Sequence, residues 1–138
     1  MRTAIDTNVL SVLWLEGTHT SEMSALLGRA RGEGGLVISA PVYTELMAHP
    51  KAGSGFLDIF LAKTEIAVDF AIKEEVWREA GRAFGEYAQR RRQSGDGVAK
   101  RLLADFLIGA HAYLTADRLL TLDASRYRHA FPKLRLLP

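Results

Sequence analysis

Short apolar runs alternate along this chain with longer stretches in which apolar residues recur every three or four positions. The short runs predict strands at residues 2–5, 36–38, 65–68, 119–122 and 131–137, of which 36–38 is expected to be buried. The stretches between them predict amphipathic helices. Alternating strands and helices are typical of a three-layer α/β/α sandwich with a central parallel sheet, and we expect a single domain of this kind over residues 1–138.

Two of the predicted strands end directly on an aspartate. Asp6 follows the first strand and Asp123 the fourth. We expect the next helix after Asp6 to begin at Thr7, because threonine at a helix start accepts a backbone N–H bond. Ligands of open parallel sheets bind outside the carboxyl ends of the strands, so an acid there reaches a metal or a substrate. The alternative is that each aspartate is only a turn or cap residue.

Two further acids lie on predicted helices. Residues 100–114 are apolar on nearly every face, which predicts a buried helix with Asp105 as its only acid. An uncompensated buried carboxylate is costly, so Asp105 must face a partner, a cavity or a metal. A structural salt bridge to an arginine is the alternative that we favour less. Glu45 lies about one turn into a helix that begins near 39–41, and its alternative is an exposed surface acid.

These four acids converge on one cleft if the first and fourth strands are neighbours. Two unit charges 4 Å apart repel by ~4 kcal/mol at an effective dielectric of 20, and a hard divalent cation relieves this. We therefore expect the cluster to bind Mg²⁺, or Mn²⁺ in its place, with Asp105 and Asp6 as the strongest candidates, Asp123 next and Glu45 last. Three polar neighbours are placed to hold the carboxylates or their waters: Thr7, Asn8 and Thr121.

Composition excludes several other kinds of site. The chain of 138 residues is 48% hydrophobic and 25% charged, and it contains no cysteine. Disulfides, thiolate metal sites and cysteine nucleophiles are thereby excluded, and the cytoplasm is the expected compartment. Asp6 and Asn8 interrupt any signal-peptide core, and no apolar run approaches the ~20 residues that span a bilayer, so we expect no membrane association.

Arginines are concentrated in the second half of the chain. The formal net charge is only +2, yet a run of three arginines ends the long helix predicted from about residue 72. Such clustering fits a nucleic-acid partner and a solvated surface about equally well. If the partner is RNA, the residues that we expect to contact its backbone are Arg101, Arg91 and Arg92.

Other catalytic motifs are missing from the sequence. It has no Walker A loop, no His-Glu-x-x-His and no Gly-x-Ser-x-Gly. A phosphorylated receiver domain would need an adjacent acidic pair near the first strand and a late lysine, and neither is clear here. His111 lies in the apolar helix and is interpreted as a hydrogen-bonded packing residue.

The residues at these positions, in this order and spacing, resemble the PIN domain, in particular the VapC-type toxins of prokaryotic toxin–antitoxin pairs. The resemblance rests on residues 6–10, 44–46, 105–112 and 120–123, with Tyr127 and Phe131 after them. It implies strand order 3-2-1-4-5 and metal-dependent endoribonuclease activity, with Asp6, Glu45, Asp105 and Asp123 as an acidic quartet. It also implies a homodimer and a small antitoxin that inserts beside the active site.

Two other functions remain open from the sequence. The first is a non-catalytic module that uses the acidic pocket and the apolar helix at residues 7–15 to bind a protein partner. The second keeps the fold and the chemistry but assigns them to a housekeeping nuclease that processes RNA or cuts DNA structures. The shortness of the chain favours the toxin interpretation over this second alternative.

Overall fold

A computed structural model describes residues 1–15, 20–53, 55–95 and 102–138. Its centre is a five-stranded sheet of order β3-β2-β1-β4-β5 in which every neighbouring pair is parallel. The strands are β1 (Thr3–Ile5), β2 (Leu36–Ser39), β3 (Ile66–Asp69), β4 (Arg118–Leu120) and β5 (Leu136–Leu137). The expected three-layer α/β/α architecture and the expected strand order are confirmed.

Seven α-helices lie in the described part of the chain and form the outer layers of the sandwich. They are α1 (Thr7–Leu13), α2 (Thr20–Glu33), α3 (Ala40–Met47), α4 (Phe56–Lys63), α5 (Glu74–Ser94), α6 (Leu103–Thr115) and α7 (Ala124–Arg128), with a 3₁₀ turn at Pro50–Ala52. None of the helices in these ranges has the length and hydropathy that crossing a bilayer requires.

The three inner strands are buried along their whole length, which is why their sequences are mainly apolar. Helices cover both faces of such a parallel sheet, so both sets of alternating side chains face the core. The edge strand β3 is buried only at Ile66. The core therefore lies around β2, β1 and β4, the strands whose carboxyl ends carry the predicted site.

Three details differ from the sequence-based expectations. The cap of α1 is Asp6 and not Thr7, because the Asp6 side chain accepts the bond from the Thr7 N–H at 2.8 Å. Helix α5 continues to Ser94, two residues beyond the arginine run at which it was predicted to end. Helix α6 is not buried all round, since Leu103 and Leu114 at its two ends are 53% and 42% exposed.

The sheet register brings the two strand-end acids to the same edge. Ile5 of β1 pairs with Leu120 of β4, and the Asp6 N–H donates to the Leu120 carbonyl at 2.9 Å. The strand order reverses between β1 and β4, and ligands of open α/β sheets bind at that reversal. Asp6 therefore lies at the position where a site is expected.

Candidate active site

Asp6 is held by three hydrogen bonds, from the start of α1, from the residue that follows β4 and from α7. The Thr7 N–H at the start of α1 donates to Oδ1, while the Thr121 and Tyr127 hydroxyls both donate to Oδ2, each at 2.8 Å. The side chain is almost fully buried, with 2% of the residue exposed. These bonds fix the orientation of a carboxylate that could not otherwise be buried.

Burial raises the pKa of Asp6 above its usual range, and the three hydrogen bonds oppose that shift in part. Burial also raises the pKa of Tyr127, and the neighbouring charge of Asp6 adds to the effect. Tyr127 therefore stays protonated and remains a donor to Asp6. The carboxylate is desolvated but supported, a state that favours binding of a cation.

Glu45 reaches the same place from α3. Its Oε1 accepts a hydrogen bond of 2.5 Å from the Thr7 hydroxyl, so Thr7 links the end of β1 to this helix. Burial raises the pKa of Glu45, and the charges of Asp6 and Asp105 raise it further, against the bond from Thr7 and the charge of Arg126. Since the charges of Asp6 and Asp105 both reach Glu45, we group Asp6, Glu45 and Asp105 as one acid cluster.

Asp105 stands in the first turn of α6, where helix geometry favours an acid. Its Oδ2 accepts the Leu102 N–H at 3.2 Å, and its Oδ1 pairs with Arg126 Nη1 at 3.3 Å. The salt bridge that the sequence analysis favoured less is therefore present, with an arginine of α7. It compensates the buried charge and leaves Asp105 inside the cluster.

Asp123 lies at the outer rim. Its Oδ2 pairs with Arg126 Nη2 at 3.2 Å, its Oδ1 accepts the Ser125 hydroxyl at 2.9 Å, and 38% of its side chain is exposed. The Thr121 hydroxyl accepts the Asp123 N–H at 3.0 Å and so ties this turn to Asp6. Arg126 consequently bridges Asp105 and Asp123, and Asp123 joins the cluster through that guanidinium.

The three polar residues expected to support the acids all contact this region. Thr7 and Thr121 bond acids of the cluster directly. Asn8 instead accepts the Leu122 N–H at 3.1 Å, which holds the turn after β4 against α1. Asn8 therefore supports the site through the backbone and not through a carboxylate.

No pattern in the sequence indicated that Arg126 belongs to the site, and Tyr127 was indicated only as part of the family resemblance, although both side chains bond acids of the cluster. They lie on α7, a five-residue helix that begins directly after Asp123 and turns back over the end of β1. So short a helix has no readable periodicity. The usable signal was the placement of an arginine and a tyrosine within one turn of a strand-end acid.

The chemistry of the donor set fits a hard divalent cation. The cluster offers carboxylate oxygens alone, part of them desolvated, which are the ligands of Mg²⁺ and Mn²⁺. Within residues 1–15, 20–53, 55–95 and 102–138, however, no three acidic, histidine or cysteine side chains already form a ligand set. Arg126 supplies the compensating charge between Asp105 and Asp123 in this arrangement.

A cavity of about 390 Å³ opens beside the cluster, and we call it the arginine-lined cavity. The described residues that line it include Tyr87, Arg90, Arg91, Ser94, Asp105, Phe106, Arg126, His129 and Phe131. Of the three arginines expected to contact RNA, Arg91 lines this cavity, Arg92 is exposed outside its lining, and Arg101 lies outside the described residues. Their role in RNA binding stays a prediction.

His111 is a buried packing residue, in agreement with its interpretation from sequence. Its Nε2 lies 3.0 Å from Asp69 Oδ2 at the end of β3, and 1% of the residue is exposed. The pair ties α6 to the edge of the sheet.

Comparisons with known proteins agree with this architecture. A family model described as PIN domain matches residues 3–132. One similar solved structure is that of VapBC2 from Rickettsia felis bound to a DNA fragment from the VapBC2 promoter. Its matching chain is 24% identical to this one, with a TM-score of 0.64 over 99% of this chain and 98% of that chain. VapBC-1 from nontypeable Haemophilus influenzae is 18% identical with a TM-score of 0.65, over 99% and 97% of the two chains.

FitAcB from Neisseria gonorrhoeae is 19% identical with a TM-score of 0.66, over 99% of this chain and 96% of that chain. At these identities the likeness establishes a shared fold. No curated protein matches the sequence.

Proposed function

The chain belongs to the PIN domain family, and from that premise we propose that it is a metal-dependent endoribonuclease. Its site comprises Asp6, Glu45, Asp105 and Asp123. The observation that carries the proposal is the convergence of Asp6 at the end of β1, Glu45 of α3 and Asp105 of α6, which lie close enough together that the charges of Asp6 and Asp105 raise the pKa of Glu45. Buried carboxyl groups with raised pKa values beside further acids, as Asp6 and Glu45 are here, are typical of functional sites.

Mg²⁺, or Mn²⁺ in its place, would be held by Asp6, Asp105 and Asp123, with Glu45 acting directly or through water. When bound, such an ion lowers the pKa of a bound water and offsets negative charge on a phosphodiester. Thr121, Tyr127 and the Thr7 N–H keep Asp6 in one orientation for this role.

Two other side chains have defined tasks in the proposed hydrolysis. Glu45 Oε1 is occupied by the Thr7 hydroxyl, so Oε2 is the oxygen left to accept a proton from the attacking water. The Arg126 guanidinium is half-buried beside Asp105 and Asp123, within reach of a phosphodiester that lies on the cluster. It would stabilise charge that develops on the phosphoryl oxygens.

The partners follow from the same family resemblance. Two of the similar structures are of VapBC proteins, which supports pairing of this chain with a small antitoxin. Together with its resemblance to VapC-type toxins, this leads us to propose the toxin of a toxin–antitoxin pair that acts as a homodimer in the cytoplasm, with cellular RNA as its substrate.

Cleavage of a mixed cellular RNA pool tests the proposed activity. Purified protein is incubated with Mg²⁺, Mn²⁺ or a chelator, beside Asp105→Asn and the matched control Glu75→Gln, which changes an exposed acid of α5. We expect discrete cuts with either metal in the wild-type and control proteins, and none with the chelator or with Asp105→Asn. Equal cleavage by the Asp105→Asn and Glu75→Gln variants would show that the acid cluster does not take part in the reaction.

One observation favours the non-catalytic alternative. Arg126 already compensates Asp105 and Asp123, so part of the cluster is stable as an ion-paired pocket that could bind a protein. In that case well-folded wild-type protein would cleave no RNA with any divalent cation while still binding its partner tightly.

A further inference from the structure

We propose that the arginine-lined cavity binds one nucleotide of the substrate strand, with the base against its aromatic floor and the adjoining phosphate at its arginine rim. The inference rests on the proposed function, since it names the part of the substrate that lies beside the scissile phosphodiester. The test below measures RNA binding and not RNA cleavage, so either proposal can fail while the other stands.

The floor of the cavity is apolar and fixed in place. Phe106 is stacked on Phe84 with ring centroids 4.7 Å apart and lies 5.5 Å from the Tyr87 ring. Phe131 can approach α6 closely because residue 109 is glycine, where an added Cβ would lie 2.3 Å from the Phe131 ring. A cavity of about 390 Å³ with such walls is within the ordinary size range of ligand sites.

The rim of the cavity carries an excess of positive charge. Among the residues that the structure describes, Arg90, Arg91 and Arg126 line it against one acid, Asp105, which is already paired with Arg126. Arg91 lies 5.9 Å from the centroid of the Tyr87 ring, and Arg90 has no acidic partner among the residues that the structure describes. Both guanidinium groups are half-buried, so they are directed to this place and not dispersed in solvent.

An apolar aromatic floor beneath cationic side chains matches the chemistry of a single nucleotide. Bases of single-stranded nucleic acid stack on aromatic rings, and arginines bind the backbone phosphates. An acidic peptide would use the rim but would not require the aromatic floor. The combination therefore favours a nucleotide over an acidic peptide.

The cavity is continuous with the candidate active site. Asp105 and Arg126 belong to both, because each lines the cavity and takes part in the acid cluster. A strand whose phosphodiester lies on the cluster therefore has its neighbouring nucleotide at the mouth of the cavity. This continuity links the cavity to substrate binding and not to an unrelated ligand.

The test compares binding of a labelled RNA hexamer and of an abasic hexamer with the same backbone, by fluorescence anisotropy in chelator. We expect wild-type protein to bind the base-containing strand at least about fivefold more tightly, the lower end expected for one stacked base. Ser94→Trp places a large side chain in the cavity from an exposed position of its lining. It should abolish the preference, whereas Gln93→Trp, next to it but outside the lining, should retain it.

A second pair of variants addresses the rim and does not depend on the folding of Ser94→Trp. Arg90→Ala should lower the slope of log affinity against log salt by about 0.7, the value for one phosphate contact in single strands. Arg29→Ala, an exposed arginine of α2, should leave the slope unchanged. A base preference that survives in folded Ser94→Trp, no preference in the wild type, or an unchanged slope in Arg90→Ala would each overturn the proposal.

Discussion

At the scale of single residues, the function of the site depends on how its charges are compensated. Asp6 is stabilised by neutral donors, while Asp105 and Asp123 are stabilised by the cation of Arg126. The two kinds of compensation predict different consequences when the compensating group is removed. Loss of a neutral donor leaves the buried Asp6 carboxylate with one hydrogen bond fewer. Loss of the Arg126 cation leaves Asp105 and Asp123 free to bind another cation.

Removing the Tyr127 hydroxyl tests the loss of a neutral donor. Tyr127→Phe keeps the ring but removes the donor to Asp6 Oδ2, and it should lower the free energy of unfolding by about 1.5–3 kcal/mol, as for hydrogen bonds to charged groups. Urea unfolding in chelator measures this. Tyr113→Phe, at an exposed tyrosine of α6, is the control. Equal losses in both variants would mean that the bond to Asp6 contributes nothing to stability.

Removing Arg126 tests the loss of the compensating cation. Arg126→Ala removes a cation that competes for Asp105 and Asp123, so Mn²⁺ should bind about tenfold more tightly, while the fold in chelator becomes less stable. Isothermal titration calorimetry with Mn²⁺ measures the affinity. Arg128→Ala, an exposed arginine two positions further on, should leave it unchanged. Unaltered affinity in Arg126→Ala would show that metal and guanidinium do not compete.

At the scale of elements, α6 joins the acid cluster to the core. Its first turn carries Asp105, and its middle packs so closely on Phe131 that only glycine fits at position 109. The helix can therefore position the acid only if this contact is kept.

Gly109→Ala tests that contact. The added methyl group would meet the Phe131 ring at 2.3 Å, and relieving this overlap should cost about 1–3 kcal/mol, more than the helix propensity gained. Gly81→Ala on α5 meets nothing within 4 Å and should instead stabilise the protein by up to about 1 kcal/mol. Denaturant unfolding of the two variants compares them directly, and a stabilised Gly109→Ala would contradict the packing described.

Elements with strong patterns could be predicted from the sequence, and elements without them could not. Apolar runs located the buried strands because those strands are covered on both faces. The end of α5 was missed because polar residues 93–94 continue an exposed helical turn that packing does not mark. Helix α7 has too few residues to show a helical repeat of apolar positions. The contacts of Arg126 and Tyr127 with the acids therefore had to come from the structure.

At the scale of the whole molecule, parallel pairing of β1 with β4 brings together the residues of the candidate site. It places Asp6 beside Thr121 at the point where the strand order reverses, and α3, α6 and α7 bring the remaining charges to that edge. Asp6, Asp105 and Asp123 could be selected as candidates from the sequence because each ends or interrupts an apolar run, whereas Glu45 depended on the family resemblance. The strand order came from family resemblance, since local patterns do not encode which strands pair. The single domain over residues 1–138 and the homodimer stay predictions.

The most direct test of the central claim, that these acids form a metal site, is the effect of Mn²⁺ on the free energy of unfolding. At a concentration 100 times Kd the wild-type protein should gain roughly 2.7 kcal/mol over the same protein in chelator. Asp105→Asn should lose most of that gain, and Glu75→Gln should keep it. If the wild type and Asp105→Asn unfold alike with and without Mn²⁺, the acid cluster is not a metal site.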